Sequence, residues 1–264
     1  MEFSEVLKLI EKRIGIALSG TRLNRLKKLY EGNREIFVGI EGKDIKEDSW
    51  QRIIDAISVQ ETYFYRDKEV FECIRDSIFP EIFNRLEEGV KIWSAGCATG
   101  EEVYTIAMLA VEYLTSLGYI AHTLKGKLTI IGTDISLNAL QTATKGVYKD
   151  IPMGSFRNTP RSLFKYFDLK DGNNYHVKEE IKNLVEFHLH NLMDEPPIKD
   201  VDLVVCRNVL IYFSDEARKK VYDNLIKAMR KGGFLIMGPL DNPDGKIERR
   251  FCGRLSYFYK PWIE

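Results

Sequence analysis

The sequence predicts an α/β fold: a doubly wound, mostly parallel sheet, preceded by a small helical unit and interrupted by a small β-hairpin insertion. Three observations predict it. From about residue 90, short apolar runs alternate with helical segments, which is the grammar of right-handed βαβ units. The first sixty residues carry helical periodicity and no strand signal. Between residues 148 and 182, Pro152, Pro160, Gly172, Asn173 and Asn174 break the alternation.

The elements follow in order. FSEVLKLIEKRIGI sets Val6, Leu9, Ile10 and Ile14 on one helical stripe. Gly20-Thr21 supplies a break and a cap for RLNRLKKLYEG, which ends at Gly32. Asp44 or Asp48 starts a third helix bearing Trp50, Ile53, Ile54 and Ile57. Then come VKIWSAG, EEVYTIAMLAVEYLTSLG, KLTIIGTD, SLNALQTATKG, LVEFHLH, VDLVVC, DEARKKVYDNLIKAMRKGG and FLIMG, alternately strand-like and helical except at LVEFHLH–VDLVVC. Lys231-Gly232-Gly233 is expected to close the last helix. LSYFYK reads as a final antiparallel strand at an edge. The expected division is a helical domain over 1–60 and a sheet domain over 61–264, with the insertion at about 163–190.

Bulk properties exclude several classes. Among 264 residues, 39 Lys plus Arg balance 39 Asp plus Glu, so no global field draws the chain to nucleic acid. It also lacks an aromatic platform of the RNA-binding type. Glu2, Glu5 and Lys8 interrupt any leader-like apolar run, and no stretch reaches the ~20 apolar residues of a membrane span. Cys73, Cys97, Cys206 and Cys252 lie far apart and form no metal-type pair. A cytoplasmic, reduced, monomeric protein with no metal site is expected. The scarcity of glutamine (Gln51, Gln60, Gln141) in a Lys- and Glu-rich chain hints at a thermophile.

Three of the four chemistry-bearing segments sit at strand ends, where open α/β sheets bind ligands. IWSAGCATGEE runs from a strand through Gly96 and Gly100 into a helix that starts with Glu101-Glu102. The spacing is G-x-x-x-G, and two carboxylates at the helix start would repel a pyrophosphate. A ligand with cationic ammonium and sulfonium groups suits them better, which favours S-adenosylmethionine over a dinucleotide. Taken alone, the motif fits a bare strand-to-helix turn equally well. KLTIIGTDIS ends a strand at Asp134, with Ser136 placed to cap the next helix. A carboxylate there accepts both hydroxyls of a ribose, although a lone Asp near a helix start more often caps it. VDLVVCRNVLIYF carries a core strand into Arg207 and Asn208, with Tyr212 one helical turn on, and VQETYFYRDKEVF gathers Gln60, Thr62 and Arg66 beside an aromatic cluster. His188 and His190 alternate on a strand and read as structural.

These four segments together resemble the chemotaxis receptor glutamate methyltransferases, the CheR family. That family shows a T-x-x-F-R-type element, an S-A…T-G-E-E element, T-D-I, and C-R-N-V-x-I-Y-F in this order. The resemblance covers nearly the whole chain. It implies a Rossmann-like class I methyltransferase fold and S-adenosylmethionine as cofactor. Gln60, Thr62 and Arg66 would line the cofactor's amino-acid end and sulfur. Glu102, in preference to Glu101, would face its ammonium group, and Asp134 its ribose. Asn191 and Leu192 would meet the adenine edge. Arg207 and Asn208 would close the floor, while Gly96 lets the backbone approach the ligand without a Cβ. Arg66 and Tyr212 would be the catalytic residues, Arg66 guiding the incoming carboxylate or the cofactor's own, and Tyr212 lying beside the methyl. The family usually has Asn where this chain has Gln60, so the amide persists with a different reach.

The resemblance also implies a receptor partner. From Lys8 to Arg34 there are eight basic residues and two acidic ones. Arg22, Arg25 and Lys28, three apart, would present a basic helix face to acidic receptor methylation helices. The insertion corresponds to the arm by which some family members grip a receptor tether; the short turn DLKDGNN argues against that here. Two other functions fit the fold: a methyltransferase acting on RNA or a small molecule, and a non-catalytic cofactor-binding scaffold.

Overall fold

The computed structural model describes residues 1–170, 172–245 and 247–262. The helical unit holds α1 (Phe3–Ile14), α2 (Gly20–Gly32) and α3 (Asp48–Ile57). Its own core buries Val6, Ile10, Ile14, Leu26, Tyr30, Trp50, Ile53, Ile54 and Ile57. Those are the apolar stripes of three amphipathic helices turned toward one another. α2 starts at Gly20 behind Ser19, so the cap expected from Thr21 is not used. Two short helices, α4 (Lys68–Cys73) and α5 (Phe79–Ile82), lead into the sheet region.

That region runs β1 (Val90–Ala95), α6 (Glu101–Ser116), β2 (Leu128–Asp134), α7 (Leu137–Lys145) and β3 (Val147–Lys149). It continues through β4 (Phe167–Lys170), β5 (Asn174–Val177), α8 (Glu179–Lys182), β6 (Val185–Leu189) and β7 (Val201–Cys206). α9 (Asp215–Ala228), β8 (Met229–Met237), β9 (Glu248–Cys252) and β10 (Leu255–Tyr259) complete it. The seven-stranded sheet has the order β6-β2-β1-β7-β8-β10-β9. Pairing is parallel from β6 to β8 and antiparallel at β10 and β9. β7 is buried at every position, as a parallel strand covered on both faces must be. Trp93 on β1 is fully buried, and its indole N–H donates to Thr133 Oγ1 at 2.9 Å, so the apolar gain is not offset by a stranded donor.

Three expectations need correction. α9 ends at Ala228, and Gly232-Gly233 lie within β8. Gly232 has φ +79° and the register slips between Val201 and Leu203, so the glycines serve a bulge. The helix end is capped instead by Lys260, whose Nζ donates to the carbonyls of Ile226 and Met229 at 2.9 and 2.7 Å. β10 is internal, and β9 is the edge strand. The insertion is a three-stranded antiparallel sheet, β3-β5-β4, which takes in β3, whereas β6 belongs to the main sheet beside β2. The expected bounds 163–190 therefore start too late and end too late. In the turn of that hairpin, Asp171 of DLKDGNN lies outside the described residues.

The helical unit is stitched to the segment after β7. Ile16 pairs with Phe213 as an antiparallel bridge. Ala17 N–H donates to the Tyr212 carbonyl and Ser214 N–H to the Gly15 carbonyl, both at 3.0 Å. This junction sets α2 over the carboxyl ends of the parallel strands.

Candidate functional site

At those carboxyl ends a cleft opens, walled on one side by the helical unit. The residues expected to bind the cofactor or act in catalysis line it: Gln60, Thr62, Arg66, Gly96, Glu102, Asp134, Asn191, Leu192, Arg207, Asn208 and Tyr212. The turn after β1 forms the base. Gly96 and Cys97 donate their N–H groups to the Thr133 carbonyl at 2.8 and 2.9 Å, bending the chain across the end of β2. Gly96 has φ +82°, and a Cβ there would stand 2.5 Å from Val209 Cγ2. The glycine is thus required by Val209 as well as by its backbone conformation.

Asp134 ends β2 inside this turn. Its two oxygens accept from Ala98 N at 2.9 Å and Ser136 N at 3.0 Å. Burial pushes its carboxyl above the ordinary range, opposed by those backbone donors. Ser136 caps α7 by accepting from Ala139 N, as the sequence predicts. The same hydroxyl accepts from Gln60 Nε2 at 3.0 Å and donates to Asp55 Oδ1 at 3.1 Å, tying the helical unit to the site.

The two glutamates at the start of α6 diverge. Glu101 is buried, away from the cleft, and accepts from Thr99 Oγ1 and Ser155 Oγ at 2.7 and 2.8 Å. Burial raises its pKa. Glu102 faces the cleft, accepting from Ser94 Oγ at 2.9 Å and from Arg207 at 3.0 Å. The Arg207 side chain, 4% exposed, also donates to the Arg66 carbonyl at 3.1 Å and pairs with Asp67. Tyr65 and Asp67 both hold positive φ, 62° and 60°, so Arg66 sits on a sharply shaped loop. The Arg66 guanidinium donates to the Glu61 carbonyl and lies 5.7 Å from the Tyr63 ring.

Asn191 has its side chain committed elsewhere: Nδ2 donates to the Arg13 carbonyl at 2.8 Å and Oδ1 accepts from Met193 N at 3.1 Å. Tyr212 projects beneath Arg22, whose guanidinium is 4.1 Å from its ring centroid. Arg22 was expected on the docking face with Arg25 and Lys28; it lines the cleft instead. Sequence reasoning also missed Asp67 and Ser94, and it read His190, which lines the cleft, as structural. Asp67 follows Arg66 directly in the motif, which was the one available signal. The others rest on contacts between distant segments.

The donor set fits a ligand with a cationic end and a dihydroxy end. Glu102 carries carboxylate charge to one part of the cleft and Asp134 to another, with the Gln60 amide between the helical unit and the turn. Two carboxylates would oppose a pyrophosphate.

Comparison with known proteins agrees with this chemistry. The family model described as CheR methyltransferase, SAM binding domain, matches residues 60–251. A chemotaxis protein methyltransferase of Borreliella burgdorferi is 33% identical over 272 residues, covering 97% of this chain and 93% of that protein. Chemotaxis protein methyltransferase 1 of Pseudomonas aeruginosa is 33% identical, covering 87% of this chain and 85% of that protein. The chemotaxis protein methyltransferase of Vibrio parahaemolyticus is 33% identical over 74% of this chain and 70% of its own length. The chain takes S-adenosylmethionine as its cofactor and belongs to the CheR methyltransferase family.

Proposed function

We propose that this enzyme forms glutamate methyl esters on the cytoplasmic methylation helices of chemotaxis receptors, acting as a cytoplasmic monomer. What supports this reading is the convergence of Gln60, Thr62, Arg66, Glu102, Asp134 and Tyr212 on a single cleft. That cleft occurs in a chain that aligns along nearly its whole length with a chemotaxis protein methyltransferase.

The chemistry asks little of the protein. A glutamate side chain has a reference pKa of about 4.3, so near neutrality it is already an ionised nucleophile. When bound, the cofactor supplies a methyl group on a positively charged sulfur. The protein's task is to align the acceptor oxygen and to exclude water. Gln60, Thr62 and Arg66 hold the amino-acid end, Glu102 the ammonium group, and Asp134 the ribose hydroxyls. Backbone groups of Asn191 and Leu192 meet the adenine edge, since the Asn191 amide is already engaged. Gly96, Arg207 and Asn208 form the floor. Arg66 guides the incoming carboxylate through its planar donor fork. Tyr212 positions the acceptor beside the methyl. Arg25 and Lys28 on α2 face acidic receptor helices, and the short hairpin turn favours receptors without a tether.

The test is methyl transfer to a purified receptor cytoplasmic fragment, scored as base-labile ester. Ester formation that stops when the target glutamates are replaced by alanine is the expected result. Base-stable product, or transfer to RNA alone, would overturn the reading.

A further inference from the structure

Arg207 stands between two carboxylates that differ in setting. Glu102 faces the cleft and is mostly buried, its side chain 17% exposed; Asp67 lies outside the cleft lining, its side chain 52% exposed. The Arg207 side chain itself is 4% exposed and packs 5.7 Å from the Phe71 ring. An arginine buried against a single glutamate would leave a neutral pair at the cleft. With Asp67 on its second terminal nitrogen, the cluster Glu102–Arg207–Asp67 keeps one net negative charge. Asp67 achieves this from a left-handed backbone conformation, φ +60°, in the loop that also presents Thr62 and Arg66 to the cleft. That conformation is costly for a residue with a Cβ, although Asp and Asn tolerate it best.

The cofactor before transfer carries a sulfonium charge that its demethylated product lacks. A residual negative charge near the cleft therefore favours the first over the second. We propose that Asp67 is a positioning residue which, through Arg207, preserves the negative charge Glu102 presents to the cleft and so biases binding toward the sulfonium form over the neutral product. The inference concerns cofactor exchange and holds whatever the methyl acceptor proves to be.

Asp67→Asn tests it. The amide keeps the shape, the acceptor oxygen and the tolerance of positive φ, while removing the charge. Calorimetry on the full chain would compare affinities for S-adenosylmethionine and S-adenosylhomocysteine. For a charge removed from a partly solvated setting, the variant should lose about fivefold more affinity for the sulfonium form than for the product. Asp67→Glu should restore most of that ratio. Asp67→Gly, which suits the same φ and also lacks the charge, should reproduce the Asn result if the amide variant melts early. Equal weakening of both ligands would reduce Asp67 to a loop strut and overturn the proposal, as would an unchanged ratio.

Discussion

The guanidinium of Arg22, from the helical unit, lies 4.1 Å from the centroid of the Tyr212 ring, from the sheet region. A cation over an aromatic face contributes about 0.5–2 kcal/mol, more as water is excluded. Both residues line the cleft, and burial lowers the Arg22 pKa. The stack therefore orients the tyrosine from a distant part of the chain. Arg22→Ala should lower turnover about fivefold and leave product affinity within about twofold. Tyr212→Phe keeps the stack and removes the hydroxyl, so it too should lower turnover with affinity nearly intact. Full turnover in both variants at saturating cofactor would remove this pair from the mechanism.

Asp134 should govern affinity. Losing hydrogen bonds to an ionised acceptor costs on the order of 1.5–3 kcal/mol, so Asp134→Ala should weaken S-adenosylhomocysteine binding at least about tenfold by calorimetry. Burial raises the Asp134 pKa, and in the proposed role only the ionised carboxylate would accept both ribose hydroxyls. Affinity should accordingly fall as pH is lowered, beginning above the usual carboxylate range. An affinity flat with pH down to about 4 would contradict the assignment.

Arg25 and Lys28 should act on encounter with the receptor. Both are exposed on α2, and exposed charges are screened over about 8 Å at physiological salt. Reversing both to Glu should lower kcat/KM for a tether-free receptor fragment without changing cofactor affinity. Added salt should slow the native enzyme and affect the reversed variant much less. The comparison is a kcat/KM series in salt; parallel slopes would exclude docking through this face.

His190 makes stability pH-dependent. Its Nε2 donates to the Glu195 carbonyl at 3.0 Å, its Nδ1 is buried without a partner among the described residues, and burial lowers its pKa. A histidine held neutral in the fold binds fewer protons than in the unfolded chain. Stability is then full above the unfolded pKa of about 6.5 and declines as pH falls through the lower folded value. Thermal melts between about pH 7.5 and 5 should show that decline, and His190→Gln should flatten it.

Much of this was legible in the sequence because it is locally encoded. VDLVVC reads as a core strand because it is apolar at every position but Asp202, and all six positions are buried. Gly96, Asp134, Arg207 and Asn208 follow or end strands of the sheet, where a motif marks the mouth of the cleft. What was not legible depends on contacts between distant segments. ERRFC carries too many charges to read as a strand; in place, Arg249 and Arg250 lie over Phe258 and Tyr259 of β10, which makes it a workable edge. Gly232-Gly233 looks like a helix stop in one dimension and is a bulge in three. The pairing of Arg207 with Asp67, and of Arg22 with Tyr212, likewise joins residues that no periodicity relates.

The seam between Ile16 and Phe213 bears on how such chains could be recombined. Residues 15–17 run alongside 212–214, with backbone hydrogen bonds that reach the Tyr212 carbonyl itself. A chimera cut at residue 60 would divide one covalent chain yet hand a foreign helical unit the task of rebuilding that ribbon. Because the ribbon ends on the tyrosine of the cleft, a poor fit would displace Tyr212 even where both halves fold, and on the proposed role of that residue it would lower turnover. Transplanting receptor preference from a relative thus calls for moving the 15–17 and 212–214 segments as one piece, a discontinuous cassette set by pairing and not by chain order.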